Sequence, residues 1–309
     1  MHLVTVEGNP LPWLGALAGD HVVDLAAAAK AAGGPAAAGA PALAGMLELI
    51  QAGPAGLAAA RGAMAHAQTA MGKGAADAER QGLARPRDRV RLRAPIPRPA
   101  KNIFCLGRNY AEHAADRGSA VPTIPVYFTK PYTTVIGPEA EVIYHRCTKE
   151  LDYEVELAVV IGTAGRNIPK DRALAHAFGY TIMNDVTARD LQKAHTQWFK
   201  GKSLDTFGPM GPALVTADEV PDPQRLRVML RVNGHERQNA GTDTMLFDVA
   251  TCISVLSEGL TLDPGDIIAT GTPAGVGAAT NGLLKVGDVV EAEVTGLGVL
   301  RNRVVADRS

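Results

Sequence analysis

Glu154, Glu156 and Asp185 are carboxylates set into otherwise apolar stretches, LDYEVELAVVIG and GYTIMNDVTARD. Read as a strand, the first stretch alternates, so Asp152, Glu154 and Glu156 share one face while Tyr153, Val155 and Leu157 share the other. Residues two apart on one face are roughly 7 Å apart. At an effective dielectric near 20, two carboxylates at that distance repel by about 2 kcal/mol. Beside so apolar a run they need a proton, a basic partner or a metal ion. A solvated edge-strand face is the plainer alternative for this stretch taken alone. Asp185 supplies a third acid at the end of a second apolar strand, just before a helix start, where it can reach into a shared pocket. Three oxygen ligands without clustered His or Cys suit a hard ion, Mg²⁺ or Mn²⁺ with Ca²⁺ also admissible, rather than zinc. Coordination positions would remain for substrate or water.

Other segments carry reactive side chains. In GRNYAEHAADRG, His113 and Asp116 are three apart; if Asn109 caps a short helix there, a carboxylate can orient an imidazole for proton transfer. A surface turn bearing His and Asp by chance is the competing reading. The Gly- and Pro-containing RGSAVPTIP that follows suits a lid. FKGKSLDTFGP contains Gly201, Lys202 and Ser203, but Thr196 stands where a phosphate loop requires glycine, so the nucleotide reading fails. Lys202, amid aromatics and glycines, can bind a carboxylate or stabilise an enolate, an exposed loop lysine being the alternative. ATGTPAGVG lacks dinucleotide-binding spacing and better offers backbone N–H groups and Thr272 to an anion. G-x-S-x-G and H-E-x-x-H are absent, which removes the usual anchors of serine hydrolases and zinc proteases.

The elements that must position these groups fall into two textures. LVTVEG and HVVDL read as short strands around a turn containing Pro10 and Pro12, and the Ala/Gly-dominated stretch from Ala26 to Ala78 reads as short helices joined by loops. ARPRDRVRLRAPIPRPAK follows. Arg85, Arg87, Arg89, Arg91 and Arg93 share odd positions, so an extended chain would aim them to one side, as a solvated face or an anion-binding stripe. A division between residues 1–95 and 96–309 is placed here. Beyond it NIFCLG, PVYFTKP, TVIG, EVELAVVIG, GYTIMND, RVMLRVNG, DIIATGT and VVEAEVTGLGVLRNRVV read as strands. AHAFG and TMLFDVATCISVLSEGL read as helices. The expected class is a β-rich α+β fold with a small N-terminal α/β domain.

The 309 residues are 46% hydrophobic and 20% charged, with a formal net charge of −1, so a small molecule is a better partner than nucleic acid or an anionic membrane. No apolar run is long enough to span a bilayer, and the N-terminus lacks the pattern of a secretory signal. Cys105, Cys147 and Cys252 lack paired spacing and read as reduced thiols of a cytoplasmic protein.

GRNYAEH, LDYEVELAVVIG, NDVTARDLQ, KGKSLDTFGPMGP and DIIATGTPAGVG occur in this order, and together they resemble the fumarylacetoacetate hydrolase family over roughly residues 100 to 305. The resemblance implies a mixed β-roll, a homodimer, and a Mg²⁺ ion on Glu154, Glu156 and Asp185. It implies a catalytic dyad of His113 and Asp116 on a lid, a catalytic Lys202, and substrate contacts from Arg108, Tyr110, Arg189, Gln192 and Thr272. At Asp116 the family's hydrolytic members usually carry Glu, whose reach is about 1.5 Å longer by one C–C bond. The implied reaction is hydrolysis of a carbon–carbon bond in an acylpyruvate or related diketo acid. Decarboxylation or isomerisation of oxaloacetate or a 2-hydroxy-dienoate needs the same enolate stabilisation. A non-catalytic metal-stabilised binding protein is the alternative from another class.

Overall fold

The computed structural model describes residues 1–111 and 122–308 of the chain. Its centre is strand Val155–Ile161, buried along its whole length. Alternation sends Leu157, Val159 and Ile161 into one apolar core and Ala158 and Val160 into a second. A strand covered on both faces reads as a continuous apolar run, which is what VELAVVI is after its one acid.

This strand belongs to an eleven-stranded sheet. The order is Ala84–Pro86, His21–Asp24, Trp13–Ala18, His2–Val6, Gly208–Thr216, Ala177–Asn184, Val155–Ile161, Ile267–Ala269, Ile103–Gly107 and Val126–Lys130, with Val135–Ile136 pairing on Gly208–Thr216. Strand His2–Val6 pairs antiparallel with Gly208–Thr216, His2 opposite Val215, so the N-terminal strands continue the same sheet. A five-stranded sheet runs His235–Gly241, Arg227–Val232, Val289–Val294, Gly298–Ala306 and Glu141–Tyr144. Its Val228, Leu230, Val290, Ala292 and Val304 pack with Leu157, Val159, Tyr180 and Ile182 of the large sheet in one core.

The other face of the large sheet is covered by helices from the Ala-rich segment. Helix Leu25–Ala32 starts at Asp24, whose carboxylate accepts a hydrogen bond from Ala27 N at 2.9 Å, a cap worth about 1 kcal/mol. Helix Gly53–Lys73 is 21 residues long and buries Ala59, Ala60, Ala63 and Ala67, a stripe of small side chains at helical spacing. With Ala28 and Ala29 of the first helix and Leu49 and Ile50 of the helix Met46–Gln51, these form the second core.

The β-rich α+β class expected from the sequence is the one the chain adopts, with local differences. AHAFG is not a helix: a 3₁₀ turn, Lys170–His176, ends there and strand Ala177–Asn184 begins, because Phe178 and Gly179 are needed in the sheet. The predicted long helix shrinks to Val249–Leu256, started by Asp248, which accepts from Thr251 N at 2.7 Å. Trp13–Ala18 is a strand that the two prolines before it concealed. The arginine row is broken by a 3₁₀ turn at Arg87–Arg89, so its odd positions do not share a face. Among the described residues, no helix is long and apolar enough to cross a membrane.

Candidate active site

Strands Val155–Ile161 and Ala177–Asn184 are antiparallel, with Val155 opposite Asn184. Glu154, just before the first, and Asp185, just after the second, therefore meet where the two strands end. Asp185 N donates to the Glu154 carbonyl at 2.8 Å, and Glu154 N donates to Asn184 Oδ1 at 3.0 Å. Glu156 lies inside the strand, opposite Met183. One carboxylate oxygen from each of Glu154, Glu156 and Asp185 lies within 4.8 Å of the others, and all three residues are buried. At an effective dielectric near 20 each such pair repels by about 3–4 kcal/mol.

Cations answer part of that charge. Lys202, at the end of helix Phe199–Lys202, places Nζ 2.7 Å from Glu154 Oε2 and 2.6 Å from Asp185 Oδ2. Lys130 Nζ donates to Asp185 Oδ1 at 2.6 Å and to the Val186 carbonyl at 3.1 Å. Arg189 opens the helix Arg189–Ala194, donates through Nε to Asp152 Oδ2 at 2.7 Å and through Nη1 to Gln192 Oε1 at 3.1 Å. Its Nη2 lies 2.6 Å from Glu154 Oε1, an ion pair by distance although its N–H groups are not aligned as a hydrogen bond. Burial lowers the pKa of Lys130 despite the pull of Asp185. For Lys202 burial acts the same way, but Asp185 and Glu154 outweigh it and its pKa is raised.

Glu156 is left over. Its Oε2 accepts from Gly271 N at 2.8 Å, while Oε1 is buried with no hydrogen-bond partner among the described residues. Burial, then the charges of Asp185 and Glu154, push its carboxyl well above the usual range. Four buried carboxylates, Asp152 included, face three buried cations. An orphaned oxygen in an oxygen-only donor set with a surplus negative charge fits a hard divalent cation, which would tip the balance to positive.

Asp152 lies outside the three-acid group. The strand breaks at Tyr153 and Glu154, and Asp152 sits in the short ladder Leu151–Asp152 with Thr187–Ala188. Its carboxylate accepts from Arg189 and from the backbone N–H groups of Gly277 and Ala278 at 2.7 and 3.0 Å. These bonds satisfy it without a metal.

Beside the cluster opens a cavity of ≈ 330 Å³. Buried Glu154, Arg189, Lys202 and Thr272 line its depth, half-buried Arg108, Phe128 and Trp198 its middle, and exposed Lys193, His195 and Thr196 its rim. Gln192 also lines it, whereas Tyr110 is buried elsewhere, its backbone bridged to Met245. The Tyr110 hydroxyl has no partner among the described residues, and burial followed by the charge of Glu156 raises its pKa. The Asn109 side chain donates to the Phe247 and Thr270 carbonyls and accepts from Phe247 N, and the helix it was expected to cap lies outside the described residues. The glycine-rich turn after Ile267–Ala269 gives its Gly271 N–H to Glu156 rather than to a ligand. His113, Asp116 and most of the expected lid lie outside the described residues.

Two contributors escaped the sequence reading. Lys130 stands in PVYFTKP, and a lysine in a strand whose neighbours are apolar or aromatic is a signal for a buried counter-charge. Gln238, on strand His235–Gly241, accepts from Val155 N at 3.0 Å and donates to Thr272 Oγ1 and the Pro273 carbonyl, both at 2.8 Å. Thr272 in turn donates to the Val155 carbonyl at 2.8 Å. Nothing local in VNGHERQNAG foretold that role.

The fold is β-rich, and its buried three-acid centre, flanked by lysines, adjoins a small cavity lined by Glu154, Arg108, Arg189 and Lys202. The chain belongs to the fumarylacetoacetate hydrolase family: residues 102–305 match the model of the fumarylacetoacetate (FAA) hydrolase C-terminal region. It is 50% identical over 220 residues to oxaloacetate tautomerase YisK of Bacillus subtilis, covering 70% of this chain and 73% of that one. A fumarylacetoacetate hydrolase from Exiguobacterium antarcticum superposes with a TM-score of 0.80 at 38% identity, over 99% of this chain and 100% of the other. A 2-hydroxyhepta-2,4-diene-1,7-dioate isomerase from Mycobacterium marinum superposes with a TM-score of 0.65 at 38% identity, over 74% and 82% of the two chains.

Proposed function

We propose that this chain is a divalent-metal-dependent tautomerase that interconverts the enol and keto forms of a short 2-oxo dicarboxylate such as oxaloacetate. The observation that carries the proposal is Glu156: a buried carboxylate with an orphaned oxygen, grouped with Glu154 and Asp185, of which Glu154 lines a cavity together with Arg108, Arg189 and Lys202. Glu154, Glu156 and Asp185 would hold Mg²⁺, or Mn²⁺ or Ca²⁺, whose Lewis acidity would favour negative charge on the 2-oxo oxygen.

The residues then divide the work. Keto-to-enol conversion removes one proton from C3 and places one on the C2 oxygen, consuming neither water nor an oxidant. Lys202, kept an ammonium by Asp185 and Glu154, donates a hydrogen bond where charge develops on that oxygen. Arg189 and Gln192, joined to each other, orient the carboxylate beside the keto group, with Thr272 at the same depth. Arg108, at the middle of the cavity, meets the distal carboxylate. His113, oriented by Asp116, takes the C3 proton. The enzyme works as a cytoplasmic homodimer, as the family resemblance implies; light scattering at twice the chain mass would support that assembly and a monomer would refute it.

Hydrolysis is the second reading, favoured by the match over nearly the whole chain to a fumarylacetoacetate hydrolase. There His113 deprotonates water, which attacks the distal carbonyl; the carbon–carbon bond breaks and its electrons pass to an enolate beside Lys202. The test follows the enol absorbance of freshly dissolved oxaloacetate and the cleavage of acetylpyruvate, each in Mg²⁺ and in EDTA. Tautomerisation accelerated only with the metal is the expected result. Acetylpyruvate cleavage without any acceleration of enol decay would replace the proposal by the hydrolase reading.

A further inference from the structure

We infer that Trp198 sets the length of the acid this cavity accepts, an inference that rests on the dicarboxylate reading above. Trp198 is half-buried and lines the middle of the cavity, between the buried charged depth and the exposed rim. Its indole is fixed from three sides. Gly107 is its seat: a Cβ there would lie 2.1 Å from Trp198 Cζ3, so only a residue without a side chain lets the ring lie against the backbone. Phe128 meets the ring edge-on, with centroids 5.6 Å apart and planes at 73°. Arg108 lies over the ring with Cζ 5.4 Å from its centroid, held in the left-handed backbone region at φ 58°.

Trp198 is also joined to the charged end through its backbone. Its backbone carbonyl accepts from Lys202 N at 3.2 Å, one helical turn on, and Lys202 Nζ lies 5.2 Å from the centroid of Phe128, the ring that meets the indole. Trp198 therefore fixes two things together: the wall beyond the keto end, and the position of the guanidinium that receives the far carboxylate. An acid whose keto end is held at Arg189 and Lys202 must bring its second carboxylate to Arg108 on the indole face. Each extra methylene adds about 1.3 Å, the projection of a roughly 1.5 Å bond, and drives the chain against a ring that its seat does not let retreat.

The test is calorimetric binding of unreactive 2-hydroxy dicarboxylates of four, five, six and seven carbons, in saturating Mg²⁺, to the parent, Trp198→Phe and Trp198→Ala. The parent should favour the four-carbon acid. Trp198→Ala should erode the preference over the seven-carbon acid by about tenfold or more, the discrimination one methylene commands in a shaped pocket, with Trp198→Phe between. Dissociation constants rising by one factor for all four lengths, or a parent indifferent to length, would overturn the inference. A parent that discriminates as expected yet does not accelerate enol decay would leave Trp198 in this role and remove the tautomerase reading instead.

Discussion

Strand Val155–Ile161 carries one face through two environments. Near its start Glu156 enters a buried group of acids and lysines; two and four residues later Ala158 and Val160 meet the alanine-rich helices. The apolar end is closed by fit, each small side chain accepting a neighbour. The charged end is closed by balance, and the balance is incomplete. Fit contributes stability that solution ions leave untouched, whereas buried ion pairs contribute little net stability because desolvation offsets their attraction. The helical layer therefore supports the sheet, and the acid end uses that support to hold groups that would otherwise repel one another apart.

The largest blow to this contrast should come from Asp185→Ala. Lys130 and Lys202 would both lose a buried counter-charge, costing about 3–5 kcal/mol in denaturant unfolding and all turnover. A cost below about 1 kcal/mol, the range of a surface pair, would show that the cluster is not balanced as described. Leu49→Ala, in the helical layer, should cost about 2–5 kcal/mol while leaving kcat of the folded fraction unchanged. A fall in kcat there would erase the division between the two ends.

Gln238→Leu should cost about 1–3 kcal/mol by leaving Val155 N–H and the Thr272–Pro273 turn without their buried partner. KM should rise more than kcat falls, since Thr272 is displaced rather than removed; unchanged kinetics would confine Gln238 to folding. The smallest effect concerns pH in EDTA. Burial and the neighbouring Asp185 and Glu154 raise the Glu156 pKa. The stability linked to this raised acid is fully present below the unfolded pKa, about 4.3, and is lost as pH rises through the folded value. Melting temperature should accordingly decline with rising pH, and Glu156→Gln should flatten that decline. Parallel curves for parent and variant would contradict it.

How far the sequence showed all this depends on distance along the chain. Glu154, Glu156 and Asp185 were legible because each is an acid in an apolar run, an anomaly visible locally. Asp152 shared the pattern but lies outside the three-acid group: its partners are Arg189, Gly277 and Ala278, brought to it by the fold. Lys130 and Gln238 act across 55 and 83 residues respectively, which no periodicity encodes. The sheet-rich class came from short β-branched runs, but AHAFG was misread because alanine's helix preference yielded to the pairing needs of strand Ala177–Asn184. The continuity of His2–Val6 with Gly208–Thr216 is likewise a long-range pairing.

If the unbalanced acid end is a divalent-metal site on which catalysis depends, metal occupancy and turnover must rise together. Mg²⁺ titrated calorimetrically into EDTA-stripped parent and Glu156→Gln proteins, with enol decay followed in the same samples, measures both. The parent should bind one ion per chain with turnover rising with occupancy, and Glu156→Gln should bind much more weakly and turn over little. Undiminished enol turnover by the stripped parent, with no heat of Mg²⁺ binding, would contradict it.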